Sequence, residues 1–523
     1  MKTKVYPFVH LVFVVIAIRW LFISGFIPTH DGEYHLMRIH EFGTMLLNGY
    51  WFPRWAPDLN SKFGLPLFNF FYPFPNYVGV LFHQMGWNLV DSLKLTLATG
   101  YVVANVFCFQ WLQKMFDRRS ALAGSVVFAF VPYWFVDIFV RGSVGEVWAI
   151  AFLMSCLFFI ENGNKRLLAA GICGIIVSHN ILSILFLPFL ILYASIRSRQ
   201  ALVFILIGIV LAAYFWLPAL LERSFVVGLN TVNFKDHFPD LSQLLVPSWG
   251  TGFSGKDFVF NEMSYQIGVV PMAVALIAVI LVVKHPKNPM KSIALLFLLC
   301  NLASFVLMQE MSIPLWEIIR PLQFLQYPWR LLSFMMPVSG FLATYTISTT
   351  HNRVIVIAFV IFAIAAGFSY TKPVVYASRD DQYYLSRSEF TDGTSSLGNF
   401  FSTRWMLWQP NRPKERMEIV SGDGSVIMRR EGVATFTGDT RLTTDAMVRV
   451  HVAYYPGWRV AIDGKSSSVQ PDEKGMITVS VPKGDHSIAV SFGETPLRLA
   501  ADIFSLACIL WLICFPVLRK HRN

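Results

Sequence analysis

Long apolar runs separated by short basic loops constrain this chain more than any other feature. Ala201 to Leu221 reads ALVFILIGIVLAAYFWLPALL, and Val354 to Phe368 is just as apolar. Runs of about 20 apolar residues suit helices that cross a bilayer, where every backbone N–H and C=O must be paired within the segment. Of the 523 residues, 55% are hydrophobic and 14% are charged, against about 25% charged in an average soluble domain. The expectation is an α-helical polytopic membrane protein. The net charge of +11 could suggest nucleic acid. The lysines and arginines instead gather in short loops between apolar runs, as the positive-inside rule describes, so no nucleic-acid partner is expected. All six cysteines lie within apolar runs. They read as small hydrophobes in packed helices, with no disulfide framework and no zinc motif.

Loop charge sets the expected topology. Lys2 and Lys4 put the N-terminus in the cytoplasm, and the stretch from Pro7 to Ile27 reads as an uncleaved signal anchor. Arg118-Arg119, Lys165-Arg166, Arg197 with Arg199, Lys284 to Lys291, His351 to Arg353 and the tail Arg519-Lys520-His521-Arg522 are expected on the cytoplasmic side. Spans near 7–27, 92–113, 120–139, 146–161, 166–181, 182–196, 201–221, 264–283, 291–308, 330–348, 354–371 and 498–518 satisfy these constraints together. That makes about twelve transmembrane helices, with both termini cytoplasmic. The stretch Leu67 to Trp87 is broken by Pro73 and Pro75 and reads as juxtamembrane or re-entrant.

The expected domains are a transmembrane domain over 1–371 with an extracytoplasmic first loop at 28–91, an extracytoplasmic β-rich domain over 372–496, and a final helix with a basic tail over 497–523. The β-domain is expected from strict alternation, as in Met447-Val448-Arg449-Val450-His451-Val452, and from turn signals such as Asp463-Gly464-Lys465. It reads as a small β-sandwich or jelly-roll.

Chemistry is expected where ionisable groups crowd a membrane boundary. Directly after the first apolar run stands His30-Asp31-Gly32-Glu33-Tyr34-His35-Leu36-Met37-Arg38. A helix from Asp31 to Leu47 would put Asp31, His35 and Arg38 on one face, with Glu33 elsewhere. The plain alternative is that Asp31 caps this helix. The aromatic stretch around Trp51 to Pro73, including Arg54, suits either a headgroup-level belt or a sugar or prenyl ligand. Three further polar islands are expected on the same side: Arg141 to Glu146, Ser178-His179-Asn180, and Arg320 to Arg330. Arg141 and Glu146 could form a structural salt bridge, and Arg330 could snorkel. Several cations facing two acids also fit a lipid phosphate bound by arginines while a carboxylate handles a proton.

Asp31-Gly32-Glu33-Tyr34-His35, Pro53-Arg54-Trp55, the Gly64-Leu65-Pro66-Leu67-Phe68 to Tyr72-Pro73 stretch, Pro132-Tyr133 with Arg141-Gly142 and Glu146, Phe215-Trp216-Leu217-Pro218 and Pro328-Trp329-Arg330 resemble, in this order, the GT-C membrane glycosyltransferases. More narrowly they resemble the bacterial membrane-protein family called "6-pyruvoyl-tetrahydropterin synthase-related", a label that implies no pterin chemistry. Tyr454-Tyr455-Pro456-Gly457-Trp458 resembles the C-terminal β-domain of that family. The resemblance implies a GT-C-like fold and hexosyl or pentosyl transfer with inversion. The donor would be a polyprenyl-phosphate sugar, and the acceptor an extracytoplasmic cell-envelope glycan, lipid or protein at a bacterial inner membrane. It implies Asp31 as base with Glu33 in support, and His35, Arg38, Arg54, Arg141, Glu146, His179 and Arg330 around the substrates. Any divalent cation, Mg or Mn, would fall to Asp31 and Glu33, although Asp-x-Glu departs from the Asp-x-Asp of some GT-C enzymes. The rival readings are a lipid or glycan transporter and a non-catalytic envelope assembly protein.

Overall fold

The computed structural model describes residues 5–228, 232–255, 262–350, 353–373, 377–386 and 401–520. Lys2, Lys4, His351, His521 and Arg522, which bear on orientation, lie outside them. Five helices are long and apolar enough to cross a membrane on their own: Leu89–Met115, Val144–Asn162, Asn180–Arg197, Pro328–Thr350 and Pro496–Cys514. Three bent pairs pass the same test jointly. They are Arg118–Ala129 with Pro132–Arg141, bent by 46°, Ala201–Leu211 with Ala213–Leu221, bent by 61°, and Lys291–Leu307 with Glu310–Ile318, bent by 95°. The chain is a multi-pass membrane protein.

Among the described residues, length and composition thus give five to eight crossings where the sequence pattern suggests about twelve. The difference lies in helices that stop early. The first apolar run is helical only over Val5–Ala17 and then tightens into a 3₁₀ turn, Arg19–Phe22. Lys165–Ser178 has 14 residues, about 21 Å at 1.5 Å per residue, short of a hydrocarbon core of about 30 Å. The Leu67 to Trp87 stretch forms two pieces, Leu67–Phe70 and Phe74–Gln84. Pro73 and Pro75 account for the break, since neither can donate into a continuing helix. Pro328–Thr350 is the most enclosed span, with 94% of its apolar window buried, whereas Pro496–Cys514, with 17%, lies on the outside.

Beyond the bundle lies a C-terminal domain of two antiparallel sheets. β1 (Met417–Ser421), β4 (Ala446–Ala453), β7 (Gln470–Pro471) and β8 (Met476–Val481) form one, in the order β1-β4-β8-β7. β2 (Gly424–Glu431), β3 (Thr435–Leu442), β5 (Trp458–Ile462), β6 (Lys465–Ser467) and β9 (Gly484–Phe492) form the other, in the order β2-β3-β9-β5-β6. Alternation sets the register: Val448 faces Val479 across β4 and β8, and Val460 faces Val490 across β5 and β9. These four side chains are all buried in the shared core.

The first loop seats this domain on the bundle. Trp55 is buried beneath Trp458, Phe492 and Tyr455, with ring centroids 5.4, 5.3 and 6.5 Å away. Gly64 lets the chain pass that ring, because a Cβ at its φ of +76° would sit 2.5 Å from the Trp55 indole nitrogen. The Phe63 carbonyl accepts from the Ala453 N–H at 2.9 Å. Much of the stretch that suited a headgroup-level belt or a sugar or prenyl ligand is therefore an internal seat, although Trp51 and Phe52 remain exposed.

Beside the seat lies a buried clasp. Arg498 in the final helix donates from Nε and Nη2 to Glu222 at 2.9–3.1 Å, and from Nη2 to the Pro456 carbonyl at 2.8 Å. Tyr455 and Asn69 also donate to Glu222, at 2.8 and 2.9 Å. Four separate stretches of chain meet at this one carboxylate.

Candidate functional site

The helix Gly32–Leu47 carries the first charged group of the site. Its N-terminal turn is satisfied by Thr29, whose hydroxyl accepts from the Gly32 N–H at 3.0 Å, and not by the Asp31 side chain. The half-buried Asp31 carboxylate therefore has no capping duty, and it forms no hydrogen bond or ion pair among the described residues. Its backbone is fixed instead. The His30 and Asp31 N–H groups donate to the Val140 and Arg141 carbonyls, each at 2.9 Å.

That pairing ties the first loop to the turn at the end of the bent pair. Val136–Arg141 is a π-helical turn ended by Gly142 in the left-handed region, at φ 67°. An added Cβ at Gly142 would meet the Thr29 hydroxyl at 2.3 Å, and one at Gly145 would meet the Tyr72 ring at 2.4 Å. The two glycines let the 142–145 turn lie flat between the first loop and Tyr72. A π-turn adds a residue to the helical repeat and rotates the side chains beyond it. Here it delivers Arg141 to Glu146, at 2.6 Å, and to the Tyr133 hydroxyl, at 3.1 Å. The same Nη1 also donates to Asp137, and Tyr133 donates to Glu146 at 3.0 Å. Arg141 is thus held by its own neighbours, with the Trp329 ring 4.9 Å from its guanidinium carbon.

Arg330 is held more loosely. Its Nη1 donates to the Leu325 carbonyl at 2.7 Å and to Gln326 Oε1 at 3.3 Å. Its buried Nε lies 3.7 Å from Glu146 Oε2 and has no hydrogen-bond partner among the described residues. A buried guanidinium N–H without an acceptor costs about 1–3 kcal/mol or more, so a ligand that supplies one is favoured there.

Tyr72 sits where these groups converge. Asp31, Arg38, Arg141 and Arg330 all act on its phenol, which burial pushes above the usual range. Tyr72 stacks on His179, centroids 5.3 Å apart, and lies 6.3 Å from His35. His179 Nδ1 accepts from the Leu182 N–H at 3.2 Å, so the proton of a neutral ring sits on Nε2. His35 is fully buried, and burial together with Arg38, His179 and Arg141 drives its imidazole well below the usual value. Arg38 lies with its guanidinium carbon 3.8 Å from the centre of the Phe71 ring.

The structure therefore brings together Asp31, His35, Arg38, Arg141, Glu146, His179 and Arg330. It places Glu33 and Arg54 elsewhere. Glu33 pairs with Arg379 at 2.5 Å. Arg54 is consumed by the domain seat, with Glu494 at 3.0 Å, Asp502 at 2.8 Å and the Tyr214 carbonyl at 3.1 Å. Glu33 is engaged by Arg379, and the surroundings of Asp31 are rich in arginine. Tyr72 and Tyr133 stand in the motifs quoted above without a role at the site, and Asp137 is absent from the sequence reading altogether. Asp137 carried a usable signal, because it is an acid inside the otherwise apolar run from Tyr133 to Val140.

No family model matches the chain. An uncharacterized protein of Lactococcus lactis subsp. cremoris (strain MG1363) is 26% identical over 200 residues, which cover 36% of this chain and 32% of that one. Among solved structures, the chain is similar to the Archaeoglobus fulgidus oligosaccharyltransferase in complex with Zn and sulfate. That match has a TM-score of 0.45 and 13% identity over 73% of this chain and 55% of the other. It is also similar to the arabinofuranosyltransferase AftD from Mycobacteria, with a TM-score of 0.43 and 15% identity over 70% of this chain and 26% of the other. The chain spans about a third of the Lactococcus protein and little more than half of the oligosaccharyltransferase.

Proposed function

We propose that this chain is a membrane glycosyltransferase. It takes a sugar from a polyprenyl-phosphate donor and places it on a hydroxyl-bearing acceptor (glycan, lipid or protein) at the extracytoplasmic face of a bacterial inner membrane. The observation that carries the reading is the convergence of an open carboxylate, Asp31, with Arg38, Arg141 and Arg330 around the Tyr72 hydroxyl.

Asp31 takes the proton of the acceptor hydroxyl as its oxygen bonds to the anomeric carbon. The carbon–oxygen bond to the lipid phosphate breaks on the opposite face, and the phosphate leaves with the electron pair. A single displacement of this kind inverts the anomeric centre. Proton removal by a placed carboxylate contributes roughly 10²–10⁴-fold. The departing phosphate is met by Arg330, whose Nε lacks an acceptor. Arg141 is a positioning residue, because Asp137 and Glu146 occupy its Nη1.

Reconstitution in proteoliposomes with radiolabelled polyprenyl-phosphate hexoses and pentoses tests the reading. The expected result is label on an acceptor from envelope extract, with free polyprenyl phosphate released in equal amount. If the labelled lipid changes leaflet but is recovered chemically intact from every donor, transport is the better account and the transferase reading fails.

A further inference from the structure

Further along the helix that bears Asp31 stands a second group that the transfer chemistry does not use. His40, Glu41 and the loop residue Asp58 each offer a ligand atom, and all three atoms lie within 4.8 Å of one another. Asp31 and Glu41 are ten residues apart along this helix, about 15 Å at 1.5 Å per residue, so this group is separate from the donor site.

Its central member is out of place as a plain carboxylate. Glu41 is 0% exposed. Its Oε2 accepts from the Asp58 N–H at 2.9 Å, while Oε1 is buried with no partner. Neither Glu41 nor Asp58 forms an ion pair among the described residues. A buried carboxylate oxygen with no partner favours a cation that can meet it. His40 and Asp58, the other two members, are half-buried.

We infer that His40, Glu41 and Asp58 form a binding site for one divalent transition cation of the zinc class. One imidazole and two carboxylates match the borderline donors that such ions prefer, whereas Mg²⁺ and Ca²⁺ favour oxygen donors alone. Ligands about 2.0–2.2 Å from a common centre lie at most about 4.4 Å apart. At the tetrahedral angle zinc prefers, such ligands lie about 3.3–3.6 Å apart, so side-chain rotation must close the group by up to about 1.5 Å on binding. The ion supplies the partner that Glu41 Oε1 lacks and leaves coordination positions for water. It also staples the helix Gly32–Leu47 to the 53–59 stretch, which carries Arg54 and Trp55 into the domain seat. The role is structural and does not depend on the transferase reading.

The test uses the full chain in detergent, stripped with a chelator and then titrated with ZnCl₂ against a fluorescent zinc indicator, with thermal unfolding followed in parallel. The expected result is one Zn²⁺ per chain, a rise in melting temperature on binding, and no comparable rise with MgCl₂ at the same concentration. His40→Ala and Asp58→Asn change half-buried positions and are expected to fold. Each should weaken zinc binding by about tenfold or more and abolish the thermal shift. Unchanged zinc affinity in both variants would place the ion on other surface groups and overturn the assignment. So would a wild-type chain that binds no zinc, or one that responds equally to magnesium.

Discussion

The clasp and the donor site are both buried ion networks, and they are finished to different degrees. In the clasp, Arg498, Tyr455 and Asn69 all donate to Glu222, and the Pro456 carbonyl also accepts from Arg498, although the buried Arg498 Nη1 has no hydrogen-bond partner among the described residues. At the donor site, Asp31 has an open carboxylate and Arg330 an Nε with no acceptor. Both networks pay the desolvation of their charges, but the difference lies in the carboxylates: Glu222 is met by Arg498, Tyr455 and Asn69, and Asp31 by no side-chain donor among the described residues. A closed network holds parts together, and an open one has capacity left for a ligand. The clasp should therefore respond to mutation in stability, and the donor site in turnover.

The largest effect is expected at the clasp. Glu222→Ala strands Arg498, which is 0% exposed, and should cost about 3–5 kcal/mol, the usual loss when one partner of a buried pair is removed. Thermal unfolding in detergent reads it directly. If the melting temperature stays within a degree or so of wild type, the two networks are not different in kind.

Asp31→Asn should do the converse. Turnover should fall about a hundredfold or more, close to 2.7 kcal/mol of barrier, with the melting temperature unchanged. Thr29, not Asp31, holds the helix end, so no capping energy is lost. A folded, fully active Asp31→Asn chain would remove Asp31 from the chemistry.

A smaller loss is expected for Arg330→Lys, which keeps the charge but loses the Nε donor. One charge-assisted hydrogen bond contributes about 1.5–3 kcal/mol, so donor turnover should drop at least about tenfold with expression unchanged. Wild-type kinetics would mean that the unpartnered Nε meets no phosphate.

The smallest effect concerns acid. His35 is buried with its imidazole driven well below the usual 6.5, so the unfolded chain binds this proton more readily than the folded one. The stability that depends on a neutral His35 is complete above pH 6.5 and is lost as the pH falls towards the lowered folded value. His35→Gln should flatten that part of the stability profile. An unchanged slope between pH 6.5 and 5 would mean that His35 already carries its proton in the fold.

The apolar runs made the membrane class legible, and the alternation in Met447 to Val452 made the β-domain legible, because both are periodic signals within a single segment. Helix endings were harder, since Arg19–Phe22 and the 95° bend before Glu310 depend on tertiary packing. At the donor site, the i, i+4 and i+7 spacing of Asp31, His35 and Arg38 was readable from helix geometry alone. The π-turn that aims Arg141 and the pairing of 30–31 with 140–141 were not, because neither leaves a local pattern. Arg54 and Glu33 show the limit of reasoning by residue type, for their partners Glu494 and Arg379 lie hundreds of positions away.

The attachment of the β-domain also has a mechanical side. β9 ends at Phe492 and the final helix begins at Pro496, so the covalent path by which a pull on the membrane anchor reaches the sheet runs through 493–495. β9 is the middle strand of its sheet, laddered to β3 on one side and to β5 on the other. β1, the first strand after the 401–416 stretch, is an edge strand with one ladder, to β4. Tension carried through the anchor must break two ladders at once, whereas tension from the other end can peel β1 away singly. Stretched between its two tethers, the domain should yield at β1 first, and force spectroscopy with handles at 401 and 498 would show that strand leaving before β9.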